Sequence, residues 1–147
     1  MRRLTAVLAM IAGLLISVNT VSADAPRLAL VIANSKYTGG MDPLVNPAND
    51  GALVRQTLER LGFQVTLLND ADQRSMKRAI ADFGSALEEA GPETTALFYY
   101  AGHGLQVNGF NYLIPVNADI RKEADVDIEG VAAENILRQM EFAMPKT

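Results

Sequence analysis

Two short, largely uninterrupted apolar runs, residues 27–34 (RLALVIAN) and 95–101 (TALFYYA), constrain this chain most. A strand with one face in water alternates apolar and polar residues. A run without alternation that is too short for a helix reads as a strand covered on both faces. Between the two runs lie helical stripes. Val54, Leu58 and Leu61 share one helix face, and Met76, Ile80, Phe83 and Leu87 share another. Phe63, Val65 and Leu67 alternate along a further strand. Strands alternating with helices at this spacing imply a parallel sheet joined by right-handed crossovers. The expected fold class is therefore α/β, a mostly parallel sheet with a flavodoxin-like start, strand order 2-1-3 and helices on both faces.

The breaks between elements are chemically marked. Residues 35–45 contain Gly39, Gly40 and Pro43 and read as a loop. Asn46-Pro47 opens the first helix, with Asn as N-cap and Pro at the first helical position. Gly62 ends that helix, Asp72 caps the second, and Gly91-Pro92 ends it. Residues 105–114 read as a small hairpin around Asn108-Gly109, the pair that a type I′ turn prefers. Residues 119–141 carry seven acids against three bases, and from about Val131 a third helix presents Ile136, Leu137 and Met140.

The first 23 residues read as a leader. Arg2 and Arg3 precede 13 uncharged, mainly apolar residues (4–16), and Val21-Ser22-Ala23 offers the small residues of a signal-peptidase site. That stretch is short of the ~20 residues a membrane span needs. The expectation is an exported chain, periplasmic or secreted, with residues 1–23 as signal, 24–147 as one domain and no membrane attachment after cleavage. Losing Arg2 and Arg3 takes the formal charge from −4 to −6. An acidic domain has no electrostatic footprint for nucleic acid. There is no Cys, so no disulfide framework and no thiolate metal site is available. One His excludes a self-contained multi-His metal centre, and neither a metal nor a cofactor is expected.

That single histidine, His103, stands in Gly102-His103-Gly104, directly after the second apolar run. In an open parallel sheet, ligands bind beyond the carboxyl ends of the strands, near the point where strand order reverses. Both the loop after Asn34 and His103 fall there. His103 reads equally as a general base and as a turn histidine between strand-ending glycines. Asp50, in the first turn of the first helix, reads as a partner of the helix dipole or as the acidic wall of a pocket. Tyr99 and Tyr100 read as core, Gly39-Gly40 lacks the pattern of a phosphate loop, and the acidic stretch reads as a solvated face without calcium-loop spacing.

Taken together, LALVIANSKY, NPANDGALVRQTLERLGFQV and ALFYYAGHGLQVNGFNYLIPVNA resemble the large catalytic subunit of caspase-like cysteine peptidases. The nearest likeness is to an exported bacterial branch related to metacaspases and paracaspases, and it covers about residues 27–142. The resemblance implies a peptidase that cleaves peptide or protein substrates through a His–Cys dyad. It makes His103 the catalytic histidine and the Gly104 N–H an oxyanion-hole donor. Asp50 matches the acid that selects Arg or Lys before the scissile bond, although Gly51 stands where Ala commonly follows. The family continues into a fourth parallel strand that carries the Cys. This sequence has no Cys at all, so the nucleophile is expected to be missing, the fourth strand onward absent and the chain inactive by itself. The alternative is a non-catalytic module that keeps the fold for binding or scaffolding. A nucleotide-binding domain on a similar sheet is disfavoured by the missing phosphate loop. Without a fourth strand, residues 95–101 would form an apolar sheet edge that invites self-association or a partner chain.

Overall fold

The computed structural model describes residues 25–143 of the chain. The expected signal at 1–23 lies outside the described residues. Strand β1 (Arg27–Ala33) pairs in parallel with β2 (Gln64–Asn69) on one side and β3 (Thr95–Ala101) on the other, in the order β2-β1-β3. Helix α1 (Pro47–Arg60) joins β1 to β2, and α2 (Gln73–Ala90) joins β2 to β3. The alternating side chains of β1 feed two cores. Ala29 and Val31 pack with Leu58 of α1 on one face. Leu30 and Ile32 pack on the other with Met76, Ile80, Phe83 and Leu87 of α2. This is the expected α/β arrangement, with helices on both faces.

Local chemistry explains most of the element ends and corrects some expectations. Asp72 accepts the Ser75 N–H at 2.7 Å, as an N-cap should. Asn46 does not cap α1, because its backbone is already helical (φ −88°, ψ −31°) and its side chain makes no capping bond. Ser35, from the loop after β1, does that work by accepting the Ala48 N–H at 3.1 Å. Leu61 is 55% exposed rather than part of the buried stripe, since it is the C-cap where the helix has already ended. No residue of β3 is fully buried, whereas Ala29 to Ala33 of β1 are. The difference follows from position: β1 has a strand on each side, and β3 has one on only one side among the described residues.

The hairpin forms one residue earlier than expected, as β4 (Gly104–Val107) and β5 (Phe110–Leu113). Asn108 and Gly109 both take positive φ, 50° and 83°, as a type I′ turn requires. A two-residue strand, β6 (Val131–Ala132), adds to the far side of β5 and makes a small antiparallel sheet. The expected third helix therefore begins later, as α4 (Ala133–Ala143), and packs against α2. The acidic stretch is more than a solvated face. It contains α3 (Glu123–Glu129), where the Asp125 carboxylate accepts the N–H groups of Arg121 and Lys122, both at 3.0 Å. Val126 of that helix is buried with Tyr37, Tyr112, Ile114 and Ala118 in a third core beneath the hairpin.

Candidate active site

The carboxyl ends of β1 and β3 meet in register, Ala33 beside Ala101. Asn34 closes that junction and is fully buried. Its N–H donates to the Ala101 carbonyl at 2.8 Å, and its Oδ1 accepts the Ala71 N–H at 2.8 Å. Its Nδ2 reaches the Ile114 carbonyl at 3.2 Å. One side-chain amide thus ties together the ends of β1, β2 and β5, and burying it is tolerable because its polar atoms are paired. Asp70, just after β2, adds a second tie by accepting the N–H groups of Ser35 and Lys36, both at 2.9 Å. Burial pushes the Asp70 carboxyl up, but those two N–H groups and the Lys36 ammonium outweigh it and hold the carboxyl below its ordinary value.

His103 sits on this rigid platform, half-buried. Its peptide N–H donates to the Tyr37 hydroxyl at 2.8 Å. Its carbonyl accepts from the Tyr100 hydroxyl at 2.8 Å and from the Ile114 N–H at 3.0 Å. The imidazole meets the Tyr37 ring edge-on, with centroids 4.6 Å apart and planes at 66°. Nε2 lies 2.8 Å from the Asp42 carbonyl oxygen. A carbonyl only accepts, so Nε2 carries the proton in that bond, and in the neutral ring Nδ1 is the unprotonated nitrogen.

Gly104 follows as the first residue of β4, opposite Leu113. Hydrogen-bonded and non-hydrogen-bonded pairs alternate outward from a two-residue turn. Val107–Phe110 and Leu105–Tyr112 fall on the bonded pairs, so Gly104–Leu113 is a non-bonded one and the Gly104 N–H points away from β5. The chain bends at Gly102, although neither glycine beside His103 has positive φ. At Gly102 a Cβ would collide with the Tyr100 hydroxyl oxygen and lie 2.6 Å from that of Tyr37. At Gly104 the nearest atom to a Cβ would be the Tyr112 carbonyl oxygen, at an ordinary 3.6 Å.

Asp50 lies in the first turn of α1 and is exposed. No hydrogen bond joins it to His103 or its partners among the described residues. Gly51 beside it is set by packing, because a Cβ there would come within 2.7 Å of the Ala33 Cβ on β1. Tyr99 packs on the α1 side of the sheet, as expected of a core residue. Tyr100 packs on the α2 side and also reaches His103 with its hydroxyl, so it is more than core. Tyr37, Asp42 and Asn34 went unnoticed in the sequence. Their roles depend on a loop conformation that no periodicity reports. Among the described residues, no group of three His, Asp or Glu side chains is placed to hold a metal ion, and no helix is long and apolar enough to cross a membrane.

Comparison with known proteins agrees with this fold. The family model for the caspase domain matches residues 26–142. Over 115 residues the chain is 29% identical to the mucosa-associated lymphoid tissue lymphoma translocation protein 1 of Homo sapiens, a match covering 78% of this chain and 13% of that protein. The Mus musculus homolog matches with the same identity and coverage. The chain thus spans only a small part of the length of these curated relatives.

Proposed function

The chain belongs to the caspase-domain family, and from that premise we propose that it supplies the histidine side of a caspase-like cysteine endopeptidase centre. The observation that carries this reading is the bond from His103 Nε2 to the Asp42 carbonyl oxygen, 2.8 Å long. It commits the ring to one tautomer and leaves Nδ1 as the basic nitrogen, facing away from the bond that anchors the ring. In the proposed reaction Nδ1 takes the proton of a cysteine thiol, and the thiolate sulfur attacks the scissile carbonyl carbon. The Gly104 N–H, turned away from the hairpin, donates to the oxyanion that develops on the carbonyl oxygen. The C–N bond then breaks, and the leaving amine takes the proton back from His103. Water, deprotonated by the same nitrogen, hydrolyses the thioester.

No cysteine occurs among the 147 residues, so the thiol of this pair comes from polypeptide outside them. Asp50 belongs to the proposal as the acid that would meet a substrate Arg or Lys. Its support is its place on the helix that begins beside the site, together with its exposure. Export through residues 1–23 is part of the same reading. The absence of Cys also favours a second reading, a caspase-homologous binding module without catalysis.

A fluorogenic assay with peptides ending in Arg or Lys distinguishes the two. The 147-residue chain should give no turnover. A protein in which this sequence is joined to a Cys-bearing strand should cleave, and His103→Ala should lower its kcat by at least about 100-fold, the scale of losing a general base. Cleavage unaffected by His103→Ala would remove the peptidase reading. Partner binding that survives His103→Ala in a protein without turnover would favour the module.

A further inference from the structure

His103 is held by more than its side chain. Tyr37 arrives from the loop between β1 and α1, and Tyr100 from β3, yet their hydroxyl oxygens come within 3.3 Å of each other. The Tyr37 oxygen accepts the His103 N–H, and the Tyr100 oxygen donates to the His103 carbonyl, each at 2.8 Å. The peptide groups on both sides of the His103 Cα therefore end on a phenol. Each phenol has one proton to give. With the Tyr100 proton on His103, the Tyr37 proton has two acceptors at 3.3 Å, the Tyr100 oxygen and the Ile114 carbonyl oxygen. That carbonyl also takes the Asn34 amide, so the pair is anchored to the buried platform under the site. Gly102 is a second, independent mark of the arrangement, because any Cβ there would occupy the space of both hydroxyls.

We propose that Tyr37 and Tyr100 are positioning residues for His103, fixing its backbone from both sides while the Tyr37 ring sets the plane of the imidazole. This rests on the reading of His103 as the base, and it adds which side chains aim that base. Neither tyrosine touches the reacting atoms. Their contribution is preorganisation: the imidazole is held in its working direction before a thiol or substrate arrives. A tyrosine pair of this kind has a consequence that simple packing lacks. Removing one hydroxyl should alter the state of an imidazole that it does not itself bond.

The single histidine makes this measurable without activity. Nitrogen-15 NMR of the full 147-residue chain reads the tautomer of one imidazole with no overlap. The expected result is a dominant Nε2–H form, shifted toward the tautomer mixture of a free histidine in both Tyr37→Phe and Tyr100→Phe. Tyr99→Phe, on the other face of the sheet, should leave it unchanged. Wild-type imidazole resonances in both folded phenylalanine variants would overturn the proposal. Should those variants not fold, amide exchange in the unmodified chain decides. The His103 N–H should exchange about 100-fold more slowly than the outward-facing Gly104 N–H, and equal rates would overturn it. The two ideas fail separately. Turnover that survives His103→Ala removes the base, whereas unchanged imidazole resonances remove only the aiming by tyrosine.

Discussion

At the scale of residues, the two glycines that flank His103 look equivalent in the sequence and are not. Gly102 lacks a side chain because two phenol oxygens fill the place where one would stand. Gly104 has room for a methyl group, and the backbone N–H that the proposed chemistry uses would survive its addition. Gly102→Ala should therefore destabilise the chain by about 1–3 kcal/mol, the usual result of overfilling a packed site. Gly104→Ala should stay within about 0.5 kcal/mol of the parent. Urea melts of the two variants check this, and equal losses would contradict the assignment. The position of His103 was legible from the string Gly-His-Gly after an apolar run. Its partners were not. Tyr37 and Asp42 lie 66 and 61 residues away along the chain and meet the histidine only when the first loop folds across the end of β3.

At the scale of elements, strand and helix types follow from apolar spacing, whereas element ends depend on distant partners. The start of α1 is an example. Asn46 has the right side chain for an N-cap, but Ser35 accepts the Ala48 N–H because the loop brings its hydroxyl there first. At the joint between the end of β2 and the loop after β1, the Asp70 carboxylate likewise takes two N–H groups from distant residues. Its folded-state pKa is depressed, so its contribution is present above the unfolded value near 3.8 and is lost as pH falls through the folded one. Asp70→Asn keeps an acceptor and tolerates the positive φ of that position, but it cannot titrate. The stability advantage of the parent over Asp70→Asn should shrink as pH falls through the range below about 4. A difference that stays constant across that range would show that Asp70 does not carry the joint electrostatically. The elements that sequence reasoning missed, β6 and α3, are two and seven residues long. Such lengths are too short for a period to register, and both exist because β5 and Tyr112 offer them a surface.

At the scale of the whole molecule, the two edges of the main sheet differ in character. The β2 edge carries Gln64, Thr66 and Asn69 among its apolar residues, while β3 after Thr95 is apolar or aromatic throughout. Edge strands without charge, proline or bulge are templates for pairing. The 147-residue chain should therefore associate as its concentration rises, and Leu97→Lys should reduce that association. Sedimentation equilibrium tests both, and a parent chain that remains monomeric at high concentration would contradict the expectation. The sequence by itself determined the fold class, the strand order and the sheet end that holds His103, because apolar periodicity and glycine breaks are local properties. It also determined, by its zero cysteine count, that these residues contain one half of a His–Cys pair at most. Only the tertiary structure decided which nitrogen of His103 faces the Asp42 carbonyl and why Gly102 has no room for a side chain. Both involve loop residues, Asp42 and Tyr37, more than 60 positions before His103, and no local pattern encodes where such segments meet.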